Sequence, residues 1–157
     1  MPSARLRSYL DENNIKYITI KHSPAFTAQE IAAVSHVPGK NLAKVVMINV
    51  KGKLVMAVLP ASYKVNVDEL KEQLGTDSVK LAHEKEFMNI FPDCEVGAMP
   101  PFGNLYGMDV YVAKSLAEDE YIYFNSCTHT ELIQMKYEDF QRLVQPKVLE
   151  FAHPAKV

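Results

Sequence analysis

A chain of 157 residues, 48% of them hydrophobic, has the length of one domain and enough apolar material for a sizeable core. Its formal net charge of −2 argues against broad, non-specific nucleic-acid binding, and no apolar run approaches the ~18 residues of a membrane span. Arg5 and Arg7 are followed at once by Asp11-Glu12, with no apolar stretch of the kind a signal or transit peptide needs.

Ser3 to Asn13 is predicted to be a helix, with Leu6 and Leu10 one turn apart. Tyr17-Ile18-Thr19-Ile20 alternates with β-branched residues and reads as a strand, broken at His22-Ser23-Pro24. Thr27-Ala28-Gln29-Glu30 has the Thr-x-x-Glu form in which hydroxyl and carboxylate satisfy opposite amides at a helix start. That helix runs from Ala28 to about Ser35 and stops before Pro38-Gly39. Ala43 to Val50 and Lys53 to Leu59 form the clearest hairpin, joined at Lys51-Gly52. Both faces of its strands are apolar, so they must be covered on both sides or lie in a closed sheet. Asp68 to Leu74 and His83 to Ile90 read as helices. Asp109 to Ala113, Tyr121 to Phe124 and Thr130 to Lys136 read as strands, and Tyr137 to Val144 as the last helix. The irregular alternation favours a mixed α+β sheet over a doubly wound one, in a single domain spanning 1–157.

Gly97-Ala98-Met99-Pro100-Pro101-Phe102-Gly103-Asn104 cannot continue a helix or a central strand, because proline lacks the amide proton and fixes φ. A stiff loop is expected, presenting the amides of Gly97, Ala98 and Met99 to a planar or anionic group. An ordinary connection between strands is the alternative. From Ile31 to Val67 there is no Asp or Glu, yet Lys40, Lys44, Lys51, Lys53 and Lys64 all fall there, while the rest of the chain is net acidic. Either one side of the protein attracts a polyanion, or five lysines are simply solvated.

Strand alternation places Lys44 on the face of Val46, Ile48 and Val50, where it either snorkels past the strand end or sits partly desolvated. His129 belongs to the polar turn Asn125-Ser126-Cys127-Thr128-His129, from which it could orient a water, bond a substrate or face solvent. Cys127 invites a Cys/His hydrolase reading, but no third orienting group is evident, and a small buried residue is the competing reading. Cys94 and Cys127 are the only cysteines, with no Cys-x-x-Cys pair, which points to a reducing, cytoplasmic setting. His22, His36 and His83 have no ligand spacing, so neither a metal nor another cofactor is expected.

Five pieces in fixed order then carry a resemblance. They are Phe26-Thr27-Ala28-Gln29-Glu30-Ile31-Ala32, Ala43-Lys44-Val45-Val46, Ala57-Val58-Leu59-Pro60, the loop Gly97 to Gly103, and Ser126-Cys127-Thr128-His129. The chain resembles the YbaK/ProX family of aminoacyl-tRNA deacylases, a domain also found inserted in bacterial prolyl-tRNA synthetases. The resemblance implies a mixed, mostly antiparallel, partly barrel-like sheet surrounded by helices. It also implies hydrolysis of the ester between a wrong amino acid and the 3′ end of a tRNA, by a free-standing member acting in trans. Lys44 matches the family's lysine, Gly97 the glycine of its loop and His129 a histidine found in alanine-type members, and these three are the catalytic candidates. Phe26, Thr27, Val46, Ala98, Met99, Pro100 and Ser126 would border the substrate, and Lys40, Lys51, Lys53 and Lys64 would hold the tRNA. The implied partner is a mischarged tRNA, with an aminoacyl-tRNA synthetase as a second partner and no membrane. A small amino acid is expected, alanine first, with serine, cysteine or threonine behind it. A non-catalytic module gripping tRNA or a synthetase is the alternative. Val45 and Ser126-Cys127 depart from the family's more usual residues, which leaves the amino acid open.

Overall fold

The computed structural model describes residues 4–25, 28–35, 37–95 and 97–154. In chain order the elements are α1 (Ala4–Glu12), β1 (Tyr17–Lys21), α2 (Ala28–Ser35), β2 (Ala43–Val50), β3 (Lys53–Pro60), β4 (Tyr63–Val65), α3 (Val67–Leu74), β5 (Val79–Leu81) and α4 (Glu84–Phe87). A 3-10 turn at Gly103–Tyr106 leads to β6 (Val110–Ala113), α5 (Lys114–Ala117), β7 (Tyr121–Asn125), β8 (Glu131–Lys136), α6 (Tyr137–Val144), β9 (Lys147–Leu149) and β10 (Ala152–Pro154).

The strands form a five-stranded sheet in the order β5-β2-β3-β6-β9, a three-stranded sheet β1-β8-β7, and the pair β10-β4. Most pairs are antiparallel; β3-β6 and β6-β9 are parallel. The sheets stay open and close no barrel. The β2-β3 hairpin lies at the centre of the large sheet. Lys51 and Gly52 both take positive φ (53° and 83°), the primed geometry whose twist suits a two-residue hairpin.

The two apolar faces of that hairpin have separate partners. Ala43, Met47, Met56 and Val58 join Leu6, Leu10, Phe102, Ile122, Ile133 and Phe140 in the larger core. Ile48, Val55, Ala57 and Leu59 pack instead with Leu70 of α3 and Phe151. The expectation of strands covered on both sides therefore holds, through two cores. A third, smaller cluster of Ala25, Ile31, Val37, Leu42, Ala61 and Leu132 packs α2 against the start of β2.

Three differences from the sequence reading have local causes. The helix expected from His83 to Ile90 is one turn, because α4 buries no side chain and isolated short helices are marginal. The strands β4, β5, β9 and β10 have three residues each, too few for an alternation to show. The Pro-Pro loop is not a surface loop throughout: Ala98, Met99, Pro100, Pro101, Phe102 and Gly103 are all buried. Phe102 is its anchor, with ring centroids 5.5 Å from both Phe124 and Phe140 and 6.2 Å from Tyr9. No helix among the described residues is long and apolar enough to cross a membrane.

Candidate active site

A cavity of about 180 Å³ opens where β2 begins, lined by Ile31, Leu42, Ala43, Lys44, Val45, Gly97, Met99 and Asn125. Four regions supply it: α2, the chain from Leu42 into β2, the Gly97 loop and the end of β7. β7 is held beside β2 by the bridge of Leu42 with Tyr123 and by the Tyr123 amide, which donates to the Asn41 carbonyl at 3.1 Å. Ile31, Leu42, Ala43, Val45 and Met99 are its apolar contributors, and Lys44, Gly97 and Asn125 its polar ones.

Lys44 is half-buried. Desolvation pushes its ammonium below the ordinary lysine range, and the charge of Lys64 nearby pushes in the same direction. Of the two readings open in the sequence, partial desolvation is the one the fold realises. Lys44 shares a face with Val46, Ile48 and Val50 as alternation requires, and Val46 packs down into the second core instead of lining the cavity.

Gly97 is exposed and takes φ 84°, a conformation that costs an L-residue but not glycine. Among the described residues its amide and that of Met99 have no partner. The Ala98 amide, by contrast, donates to the Glu95 carbonyl at 3.0 Å, closing a turn. The sequence reading offered three presented amides; the turn consumes the middle one. Ala98 itself is 0% exposed and Pro100 is buried, so both support the loop and only Met99 of the three reaches the cavity wall.

His129 stands behind the loop. Its Cε1 is 3.6 Å from where a Cβ on Gly97 would lie, and the residue is 8% exposed. Its backbone amide donates to Glu95 Oε2 at 3.1 Å, and its Nε2 is 3.8 Å from the same oxygen, within ion-pair reach when the ring is protonated. Glu95 thus holds the backbone of His129 and lies near its ring, a contact that the sequence did not reveal because it joins residues 34 positions apart. Ser126 is fully buried, and its hydroxyl lies 3.4 Å from Glu131 Oε2, which also accepts from Arg7 at 3.0 Å. It braces the turn and does not line the cavity.

Asn125 lines the cavity and is not among the site residues expected from the sequence, although a signal for it exists. It opens the polar turn that drew attention to His129, and it follows inward-facing Phe124, so alternation turns it towards the opposite face. Phe26 and Thr27 lie outside the described residues. The four lysines assigned to tRNA do not gather. Lys40 and Lys64 are near the Lys44 end of the hairpin, whereas Lys51 and Lys53 occupy its far tip beside Thr76 and Asp109.

Cys94 and Cys127 are joined in a disulfide. The reading of the two cysteines as the mark of a reducing setting did not include this bond, which removes the Cys/His hydrolase reading for this state, since a bonded sulfur is no nucleophile. Cys127 is nevertheless buried, at 1% exposure.

Comparison with known proteins bears on the fold and the family. The chain spans 95% of its own length and 99% of the chain of a hypothetical protein, APE2540, with a TM-score of 0.84 at 18% identity. It matches a candidate trans-editing enzyme for prolyl tRNA synthetase with a TM-score of 0.81 at 14% identity, over 97% of both chains. In sequence it is 25% identical over 132 residues to a proline–tRNA ligase of Staphylococcus epidermidis, covering 78% of this chain and 23% of the ligase. A proline–tRNA ligase of Staphylococcus aureus is 32% identical over 74 residues, which is 47% of this chain and 12% of the ligase. The chain thus spans about a quarter or less of the length of these curated relatives. The model of the aminoacyl-tRNA editing domain matches residues 22–143, from the turn before α2 to the end of α6 and across every element that lines the cavity, and the chain belongs to that family.

Proposed function

We propose that the chain is a trans-editing deacylase that hydrolyses the ester of a tRNA mischarged with a small amino acid, alanine first, in the cytoplasm and as one domain. The observation that carries this reading is the convergence of Lys44 and Gly97 on one small cavity. At about 180 Å³ the cavity falls below the ~300–1,000 Å³ of ordinary small-molecule pockets, which suits a short side chain.

An aminoacyl ester is already activated, so its hydrolysis needs a placed water and stabilisation of one developing oxyanion. The Gly97 and Met99 amides are the donors for that oxyanion, each worth about 3 kcal/mol when well aimed. Lys44, a partly desolvated cation at the cavity rim, anchors the phosphate or ribose of the terminal adenosine. His129, held by Glu95, orients the water or the ester from behind the loop. Lys40 and Lys64 extend the positive surface from this rim, and Lys51 and Lys53 meet the acceptor stem further along the hairpin. A synthetase that makes the error is the expected second partner.

Hydrolysis of alanyl-, seryl-, cysteinyl-, leucyl- and phenylalanyl-tRNA measured side by side tests the reading. Activity on the first three with alanine ahead is expected, because contact with apolar side chains such as Ile31, Ala43 and Val45 separates neighbours by only ~1–3 kcal/mol. A preference for leucyl- or phenylalanyl-tRNA would show that the cavity is not the amino-acid pocket.

A further inference from the structure

Cys94 and Cys127 are the chain's only cysteines, and the fold joins them across a sequence separation of 33. The place where they meet is the seam between the Gly97 loop and the His129 turn. Two backbone hydrogen bonds already clip that seam: the Glu95 amide donates to the Cys127 carbonyl at 2.8 Å, and the Cys127 amide donates to the Ala98 carbonyl at 2.9 Å. The His129 amide adds a third through the Glu95 side chain. Gly97, with its positive φ, stands between the two clipped positions. The disulfide is the covalent tie in this seam, three residues before Gly97 and two before His129.

The two cysteines differ in exposure. Cys94 is half-buried, whereas Cys127 is almost completely enclosed. An accessible thiol beside an enclosed one is the arrangement of an attacking and a resolving cysteine. We propose that Cys94 and Cys127 form a reversible thiol–disulfide site, modified by low-molecular-weight disulfides and thiols, whose oxidised state fixes the Gly97 loop against the His129 turn. In the oxidising direction the Cys94 thiolate attacks one sulfur of a small disulfide and expels the first small thiolate, leaving a mixed disulfide. The Cys127 thiolate then attacks the Cys94 sulfur and expels the second. Two protein thiols lose two electrons and two protons, and the small disulfide becomes two thiols. Small thiols in excess reverse both steps.

The consequence for catalysis rests on the deacylase reading. Donors aimed at a developing oxyanion act best when they do not have to be ordered during the reaction. The oxidised protein, with the loop tied, is therefore the faster enzyme.

The wild-type protein is equilibrated with mixtures of reduced and oxidised glutathione, alkylated with iodoacetamide and weighed by mass spectrometry. A single transition from two alkylated thiols to none is expected, without retained glutathione. Amide exchange at residues 95, 97–99 and 127–129 should slow roughly tenfold on oxidation. Cys94→Ser should abolish the transition and keep exchange at the reduced level. Two alkylated thiols at every glutathione ratio, or equal exchange in both states, would overturn the proposal. Hydrolysis of alanyl-tRNA should run about threefold faster in the oxidised state. A complete thiol transition with the exchange change, but no hydrolysis in either state, would sink the deacylase reading and leave the redox site standing.

Discussion

The two ends of the β2-β3 hairpin carry the same kind of charge in opposite surroundings. At the start of β2, Lys44 is half-buried, desolvated and repelled by Lys64, and it borders a cavity. At the tip, Lys51 and Lys53 are exposed around a tight turn, roughly 20 Å away along the strand. One carboxylate-free stretch of sequence therefore gives two different things. A charge becomes part of a site where burial strengthens it and a cavity gives a ligand somewhere to go. A solvated charge contributes only a long-range, salt-sensitive attraction.

The largest expected effect breaks the Lys44 end without touching a charge. In Gly97→Ala the added Cβ meets His129 Cε1 at 3.6 Å, an ordinary contact, so space is not the obstacle. The φ of 84° is, at about 1–2 kcal/mol for an L-residue. Relief of that strain would re-aim the amides, and deacylation should fall by about 10²–10³ while the protein remains folded. A rate near wild type would remove Gly97 from the oxyanion site.

Lys44→Ala comes next. Without its charge-assisted bond to substrate, kcat/KM should drop by roughly 10- to 100-fold. Thermal stability should hold or rise, because a partly desolvated cation is being removed. Wild-type deacylation by this variant would make Lys44 a bystander.

Charge reversal at each end sharpens the comparison. Lys40→Glu with Lys64→Glu should weaken tRNA binding and reduce the log–log salt slope by about 0.7–0.9 for each phosphate no longer neutralised. Lys51→Glu with Lys53→Glu should flatten the slope in the same way at a smaller cost in affinity. If the tip pair leaves the slope unchanged, the acceptor stem does not reach that end.

The smallest effect is a pH dependence. Folding lowers the pKa of Lys44 from 10.5, so between the folded and unfolded values the unfolded chain holds the extra proton. Stability therefore rises with pH through that window, and the cost of the buried charge is fully present below the folded pKa. Substrate affinity moves oppositely, falling as the ammonium deprotonates below the range of an exposed lysine. KM for mischarged tRNA should rise in that range for wild type and stay flat in Lys44→Arg, whose guanidinium keeps its proton. Parallel profiles for the two proteins would show that Lys44 does not titrate at the site.

Much of the framework was legible because local patterns carry it. Leu6 and Leu10, the alternation through Tyr17-Ile18-Thr19-Ile20, the Lys51-Gly52 turn and the helix Tyr137–Val144 all stand where periodicity placed them. The placement of Lys44 on one strand face followed from the same arithmetic. Three-residue strands were invisible, since they exist only by pairing with an edge that longer strands provide. The presented amides were overcounted because the bond from Ala98 to Glu95 depends on how the loop folds back.

The sequence by itself determined the alternating strands, the doubly apolar hairpin, the break at Pro100-Pro101 and the ordered motifs that tie the chain to its family. The tertiary structure alone decided that Glu95 meets His129, that Cys94 bonds Cys127, that Asn125 lines the cavity, and that five lysines divide between two ends. The reason is range. Backbone preferences and side-chain periodicity act over a few residues and can be read in order along the chain. Contacts between residues some thirty positions apart are fixed by the packing of two cores, which no local pattern encodes.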